Sequence, residues 1–256
     1  MNLITHAKSA KVYDLAQPYF VGMPHHPSHP PYLFGLTKKH GDILTPAGNS
    51  SAADAIALGS HVGTHIDGFG HFSCGGMLHG EVAAAHHQSY AGGLSVHAAD
   101  GIAPMVRRGV LLDLAADGPL SEDFEVTPER LEACGIEIGE GDVVLLRTGW
   151  AQYWRDPAQY INSVRGPGPC LPGAQWLSVR RPFAVGSDTV AFERVPAPDM
   201  PVHVHLLYES GIHIVEALNL EELASDGVRE FLFVAAPLKL EGATGAPIRP
   251  LALVEF

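Results

Sequence analysis

Short apolar runs separated by turn-forming residues recur along the chain, and most have the length of a β-strand. Near-continuous apolar runs of this kind are typical of strands that are buried on both faces of a sheet. The predicted strands are residues 12–15, 55–61, 110–114, 143–147, 183–185, 212–215, 231–236 and 251–254. After residue 109 these runs begin to alternate with helical patterns.

Helix signals lie mainly between the later strands. Thr127 and Pro128 are typical of the N-cap and first position of a helix, and Gly211 is typical of the position just after one. The predicted helical segments are 83–87, 127–134, 150–154, 174–180, 202–210 and 219–224. Periodicity alone therefore predicts a mixed α/β fold. No repeat or low-complexity tract divides the 256 residues, so a single domain over 1–256 is expected.

A Pro- and His-rich segment, residues 18–41, interrupts the pattern near the start of the chain and is predicted to be a long irregular loop. Loops of this length in a compact domain are often functional. Its aromatic and imidazole side chains suit two roles. The loop could cover a flat substrate, or it could pack on a neighbouring subunit.

Composition narrows the function classes. An apolar fraction of 46% is ordinary for a globular protein. The net charge of −12 argues against nucleic acid or an anionic membrane as a partner, because both select clustered Lys and Arg. A small-molecule partner remains the expectation.

Cysteine usage and the absence of targeting patterns predict a cytoplasmic protein. Cys74, Cys134 and Cys170 are widely spaced without a C-x-x-C pair, which predicts free thiols and no thiolate zinc site. The first residues have no basic start followed by an apolar run of signal length, and no stretch reaches the roughly 18 apolar residues of a membrane span.

The strongest candidate chemistry lies in residues 61–71, HVGTHIDGFGH, called here the His-rich segment. It places His61, His65, Asp67 and His71 in the pattern H-x-G-T-H-x-D-x-x-x-H. Imidazole and carboxylate are ligand types that Zn²⁺ and Mn²⁺ accept, and a catalytic site typically uses three protein ligands and leaves one position open. The segment therefore predicts a catalytic metal site.

Neither regular element brings these side chains to one ion. In a helix Asp67 would point away from His61, and in a strand His61 and His65 would be roughly 13 Å apart. Gly63, whose backbone accepts positive φ angles, relieves the conflict together with the later glycines. The expected local structure is a strand end that opens into a tight turn.

The His-rich segment closely resembles the signature of the cyclase family of metal-dependent hydrolases, whose members include kynurenine formamidase and isatin hydrolase. Further blocks similar to that family cover nearly the whole chain, namely YDLAQPYFVGMP, GDVVLLRTGW, FAVGSDTVAF and FLFVAAPLKLEGATGAPIRPLAL. The resemblance implies a swivelling β/β/α sandwich with a mixed sheet. Formamidases usually have proline where this chain has Phe69, which weighs against that particular activity.

The resemblance also implies residue roles and an assembly. It assigns metal binding to His61, His65 and Asp67 and acid–base catalysis to His71. MPVHVHLLYESGIHIVEALNL aligns His203 and Glu216 with a downstream pair that binds a second zinc in formamidases, whereas isatin hydrolase-like members use one manganese. Phe69 favours the single-ion alternative. The family implies a homodimer or homotetramer.

The expected function is hydrolysis of a small amide or lactone, in which the ion lowers the pKa of bound water toward roughly 7 and polarises the carbonyl. An imidazole with a pKa near about 6.5 suits His71 to take the proton of that water and return it to the leaving group. His71 could instead be a fourth ligand or a supporting residue. The alternative functions are a metal-dependent cyclase or lyase without net hydrolysis, and a non-enzymatic protein that binds a metal or a small ligand.

Overall fold

A nine-stranded mixed sheet forms the centre of the computed structural model, which describes residues 9–255. The strands in chain order are β1 (Lys11–Asp14), β2 (Leu33–Lys38), β3 (Ala53–Ala57), β4 (His65–Asp67), β5 (Met77–Leu78), β6 (Val82–Ala83), β7 (Gln88–Ser89), β8 (Gly93–Leu94), β9 (Met105–Asp113), β10 (Glu125–Val126), β11 (Val143–Arg147), β12 (Gly168–Pro169), β13 (Ala184–Ser187), β14 (His213–Glu216), β15 (Glu230–Ala235), β16 (Gly245–Pro247) and β17 (Leu251–Val254). The order across the central sheet is β1-β17-β15-β9-β11-β13-β14-β4-β16.

The helices are short and follow the strands of the second half of the chain. They are α1 (Pro128–Glu132), α2 (Pro157–Ile161), α3 (Leu171–Ser178), α4 (Pro201–His203) and α5 (Glu221–Ser225). A π-helical segment, Val204–Ser210, continues α4, and 3₁₀ turns occur at Ala84–His86, Ala99–Gly101 and Trp150–Tyr153. In the described residues no helix is long and apolar enough to cross a membrane.

Strands β9, β11, β13 and β14 run parallel, and the strands on either side of them pair antiparallel. Successive side chains of a strand point to opposite faces. Val143 and Leu145 of β11 accordingly belong to one buried cluster, and Val144 and Leu146 belong to another, which includes residues of α3 and of the π-helical segment. Both faces of the parallel strands are therefore covered, which explains their continuous apolar runs.

The mixed α/β prediction is confirmed, and most predicted elements are present. The strand at 143–147 has the predicted bounds, and α1 begins after Thr127 with Pro128 at its first position. Gly211 follows the π-helical segment with φ +64°, in the left-handed conformation expected there. The segment 202–210 is helical as predicted, but most of it has π-helical rather than α-helical hydrogen bonding.

Two predictions for the N-terminal part are wrong. The predicted strand 55–61 does not lead into the His-rich segment, because β3 ends at Ala57 and pairs with β2 in a separate two-stranded hairpin. The segment 18–41 is also not wholly irregular, because β2 lies inside it. Pairing between β2 and β3, across the connection 39–52, decided these assignments, and the weak local alternation carried no information about that pairing.

Candidate metal centre

Strand β4 brings the His-rich segment into the sheet. It lies between β14 and β16, and its register places His65 directly opposite Glu216 of β14. Side chains that face each other on neighbouring strands are within contact distance. Two candidate residues separated by about 150 positions are therefore brought together by strand pairing. The predicted turn precedes β4, so the local structure is a turn that opens into a strand, in the reverse of the predicted order.

Five buried donors surround the end of β4 in two overlapping sets. The first is His61, His65 and Asp67, and the second is Asp67, His203 and Glu216, with the ligand atoms of each set within 4.8 Å of one another. His65 Nε2 lies 3.5 Å from Asp67 Oδ1 and 3.5 Å from Glu216 Oε2. The structure thus brings all five predicted donors together, with Asp67 common to both sets.

Oxygen partners outside the cluster orient the imidazole rings. His65 Nδ1–H donates to the carbonyl of Gly63 at 2.8 Å, which leaves the Nε2 lone pair for the centre. His203 Nδ1–H donates to the Glu193 carboxylate at 2.7 Å. His61 Nε2 lies 2.8 Å from the hydroxyl of Thr244, which either donates or accepts. Such outer partners fix ring orientation in metal sites.

The turn before β4 requires glycine at position 63. Its φ of +71° is in the left-handed region, and an added Cβ would lie 2.4 Å from the ring of Tyr19. The Tyr19 hydroxyl lies 3.0 Å from the carbonyl of Val62 and 2.9 Å from that of Thr64. Tyr19 therefore packs on this turn. The turn fixes the position of the Gly63 carbonyl, which orients the ring of His65.

Asp67 provides the test of whether the cluster fits a cation. Oδ1 accepts a hydrogen bond from His61 Nδ1–H at 2.6 Å, but the buried Oδ2 has no hydrogen-bond partner in the described part of the chain. Burial alone would raise the pKa of this carboxyl, but the neighbouring His71 and His61 hold it well below its usual value. A buried, charged and unpartnered oxygen is costly unless a cation satisfies it. The cluster therefore fits a divalent ion.

His203 is held between two carboxylates. Burial would lower its pKa, but the hydrogen bonds with Glu193 and Glu216 outweigh that effect and raise the pKa to about 10. Nε2 lies 3.2 Å from Glu216 Oε1 and 4.0 Å from Asp67 Oδ2. In the absence of an ion this ring carries a proton that a metal would have to displace.

His71 lies beside the donors and is not a member of either set. Its ring stacks on His61 with centroids 3.8 Å apart and lies 6.4 Å from the ring of His203. Neither of its ring nitrogens has a hydrogen-bond partner within residues 9–255. Burial, together with the imidazoles of His61 and His203, lowers its pKa to about 3 against the opposing charge of Asp67. The neutral ring can accept a proton.

A cavity of about 220 Å³ opens onto the donors. Residues of the N-terminal segment form part of its wall, and the ring of His29 stacks on His61 at 5.2 Å. Its other walls are apolar, and they include Phe72, Val190 and Met200. This volume is below the range of about 300–1,000 Å³ that is typical of drug-sized ligands, so the cavity suits a small molecule.

Sequence reasoning missed Glu193 and Thr244, whereas His29 belongs to the segment 18–41 whose imidazole side chains suit it to cover a substrate. Glu193 directly follows the family-like block FAVGSDTVAF, and that position is the signal that could have indicated it. Thr244 contacts His61 across 183 positions, and nothing local marks it. Phe69 belongs to the His-rich segment but lies outside both donor sets. Its ring stacks on His213 at 4.1 Å and is not among the residues lining the cavity at the donors. The overlap of the two donor sets at Asp67 favours two ions rather than one, and the number of ions stays a prediction.

The fold and the site together define an α/β protein with a buried His/Asp/Glu centre suited to a divalent metal. The model of the cyclase family matches residues 13–194. The chain therefore belongs to the cyclase family, as the resemblance of its motifs indicates.

Relatives agree with this assignment. Isatin hydrolase of Roseibium aggregatum is 29% identical over 210 residues, which cover 78% of this chain and 73% of that protein. The solved structure of a protein described as a novel cyclase matches with a TM-score of 0.88 and 27% identity, covering 97% of this chain and 89% of that one. Isatin hydrolase A from Ralstonia solanacearum matches with a TM-score of 0.75 and 27% identity, covering 97% and 94%.

Proposed function

We propose that this protein is a metal-dependent hydrolase that opens a small amide or lactone by adding water to the acyl carbon. The unpartnered, buried Oδ2 of Asp67 within a cluster of five donors carries the proposal, because it implies a cation at this position. A divalent ion bound there activates water and polarises a carbonyl. Both Zn²⁺ and Mn²⁺ accept imidazole nitrogen and carboxylate oxygen.

The residues of the site have two roles, ion binding and proton transfer. His61, His65 and Asp67 hold the ion, and His203 and Glu216 complete the donor set. His71, buried and neutral beside them, takes a proton from water and returns it to the leaving nitrogen or oxygen. The low pKa of its imidazole makes the protonated ring a ready donor, which favours return of the proton to the leaving group in the second step. In the first step a bound ion would compensate for the weak basicity of the ring, because it would lower the pKa of the water.

The residues that line the cavity favour a small, uncharged substrate. Among the described residues that line it there is no Lys or Arg to pair with an anionic group. The rings of His29 and Phe72 provide flat surfaces, and the relative from Roseibium aggregatum is named for hydrolysis of isatin, a small planar ring compound. A planar cyclic amide is therefore the first substrate class to assay.

Product mass and metal dependence test the function together. Hydrolysis of a cyclic amide or lactone adds about 18 Da, the mass of one water, whereas a cyclase or lyase acting through the same ion does not. We expect this mass gain with metal-loaded protein, and its loss after chelation, because the residues alone cannot make water nucleophilic at neutral pH. Full turnover by protein verified to be metal-free would refute the proposal, as would a product without added water.

We also propose that the protein assembles as a homodimer or homotetramer through the β2–β3 hairpin. All residues of β3, and all of β2 except Lys38, are exposed in the single chain. Phe34 of β2 faces Ile56 of β3, and both side chains are about half exposed. An isolated two-stranded hairpin is marginally stable in water, so these apolar faces favour contact with another copy of the chain.

A further inference from the structure

A second cavity lies beside β4, separate from the one at the donors. Its volume is about 470 Å³, which is within the range typical of small-molecule sites. Phe69 and His213 are part of its wall, and neither lines the smaller cavity of about 220 Å³. Phe69 is the residue at which the His-rich segment departs from the formamidase pattern, and here it helps to form a surface that the hydrolase proposal does not use.

His213 presents an unused hydrogen-bond acceptor to this cavity. The residue is only 6% exposed, and its Nδ1–H donates to the main-chain carbonyl of Asp67 at 2.8 Å. In the neutral ring Nε2 then carries the lone pair, and it has no partner in the described part of the chain. Phe69 stacks on the same ring with an interplanar angle of 10°, which fixes its orientation. An occupant of the cavity would therefore be expected to supply an N–H or O–H group.

The charges around the cavity favour a cation. Asp100 and Glu241 line it, and within residues 9–255 no Lys or Arg does. Asp100 Oδ1 accepts a weak hydrogen bond from the backbone N–H of Gly242 at 3.3 Å, and Glu241 is exposed at the rim. The net charge of −12 adds a long-range attraction for positive ligands. Leu94 and Ile102 complete the wall with apolar surface.

We propose that this cavity binds a small organic cation with a planar aromatic body. An N–H of the ligand donates to His213 Nε2, its positive charge faces Asp100 and Glu241, and its ring packs on the apolar wall beside Phe69. The site is distinct from the metal centre, because the two cavities share none of their lining residues. Binding at this site does not depend on the hydrolase reaction.

Benzamidine, benzamide and benzoate form a suitable set of probes, since they are nearly the same size and differ in charge. Calorimetric titration of the metal-loaded protein should show saturable binding of benzamidine in the millimolar range or tighter. Benzamide should bind about tenfold more weakly, because its hydrogen bonds lack charge assistance, and benzoate should not bind. A crystal soaked in benzamidine should show it between Phe69, Asp100 and Glu241.

Variants locate the binding. Glu241→Gln changes an exposed side chain and should weaken benzamidine binding about fivefold or more, whereas Glu132→Gln, an equal change of charge on α1, should have no effect. His213→Phe keeps the stacked ring and removes the acceptor, so it should also weaken binding. Equal affinity for benzamidine and benzamide, no saturable binding up to about 10 mM, or an unchanged affinity in Glu241→Gln would each overturn the proposal.

Discussion

Asp67 and His71 differ in what surrounds them, although they lie four positions apart. Asp67 has a buried oxygen with no hydrogen-bond partner among residues 9–255, whereas His71 stacks flat on His61 and belongs to neither donor set. The first arrangement suits a residue that holds an ion. The second suits a residue that meets substrate and water.

This difference predicts separable effects of two substitutions. His65→Ala should lose both bound metal and turnover, because its Nε2 faces Asp67 and Glu216. His71→Ala should keep the metal and lose turnover by about 10²-fold or more, the usual scale for positioned acid–base groups. Metal analysis of the purified variants, alongside initial rates, makes the comparison. Equal metal loss in both would show that His71 is a ligand.

The metal count tests the role of Glu216. Because Asp67 belongs to both donor sets, we expect the saturated wild type to bind two ions and Glu216→Gln to bind about one, since a neutral amide is a much poorer ligand than a carboxylate. Glu209→Gln, a surface change, serves as the control. One ion in both the wild type and Glu216→Gln would instead give Glu216 a supporting role, such as accepting the backbone N–H of Phe192, which it does at 2.8 Å.

At the scale of elements, local patterns predicted much of the parallel half of the fold. The predictions of strand β11 and of the start of α1 used neighbouring residues alone, and both elements lie at the predicted positions. The order β14-β4-β16 depends on pairing between segments about 150 to 180 positions apart, for which no local signal exists. The residues of the metal centre show the same contrast between local and long-range signals. Spacing indicated His61, His65 and Asp67, whereas only family resemblance indicated His203 and Glu216.

Strand β1, at one edge of the sheet, contacts α5 and the residue that follows it through the carboxylates of Glu222 and Asp226. Asp226 accepts from Lys11 Nζ at 2.5 Å and from the Tyr13 hydroxyl at 2.7 Å. The hydrogen bond from Lys11 lowers the pKa of Asp226 most, and the hydrogen bond from Tyr13 lowers it further. A carboxyl whose pKa is lower in the folded state contributes stability above its unfolded pKa, and that contribution is lost as the pH falls through the folded value.

Asp226→Asn should therefore lower the Tm near pH 7, and the difference from wild type should shrink below about pH 4 as the wild-type carboxyl becomes protonated. Thermal unfolding of the wild type and Asp226→Asn, measured across this pH range, gives the Tm difference. Glu222→Gln removes a second contact to Lys11, at 3.0 Å, but none to Tyr13, and should have the smaller effect. A Tm difference that stays constant from pH 3 to pH 7 would contradict the assignment.

At the scale of the whole molecule, the β2–β3 hairpin forms a two-stranded sheet of its own outside the central sheet. The parallel strands of the central sheet are covered on both faces, whereas the β2–β3 hairpin exposes Leu33, Phe34, Leu36 and Ile56. The hairpin directly follows the segment whose His26 and His29 line the cavity at the donors. Contact with a second copy would stabilise the hairpin and, through it, the position of that wall.

We therefore expect an oligomer in the wild type and a monomer when Phe34 and Ile56 are both replaced by Asp, because two desolvated carboxylates facing each other across the hairpin would oppose association. Val179→Asp removes an apolar side chain that is 74% exposed elsewhere, and it should leave the assembly intact. Light scattering coupled to size-exclusion chromatography gives the mass of each protein. A monomeric wild type at about 10 μM would contradict the proposed assembly, because stable interfaces have dissociation constants well below that concentration. An unchanged mass in the double variant would place the interface on another surface.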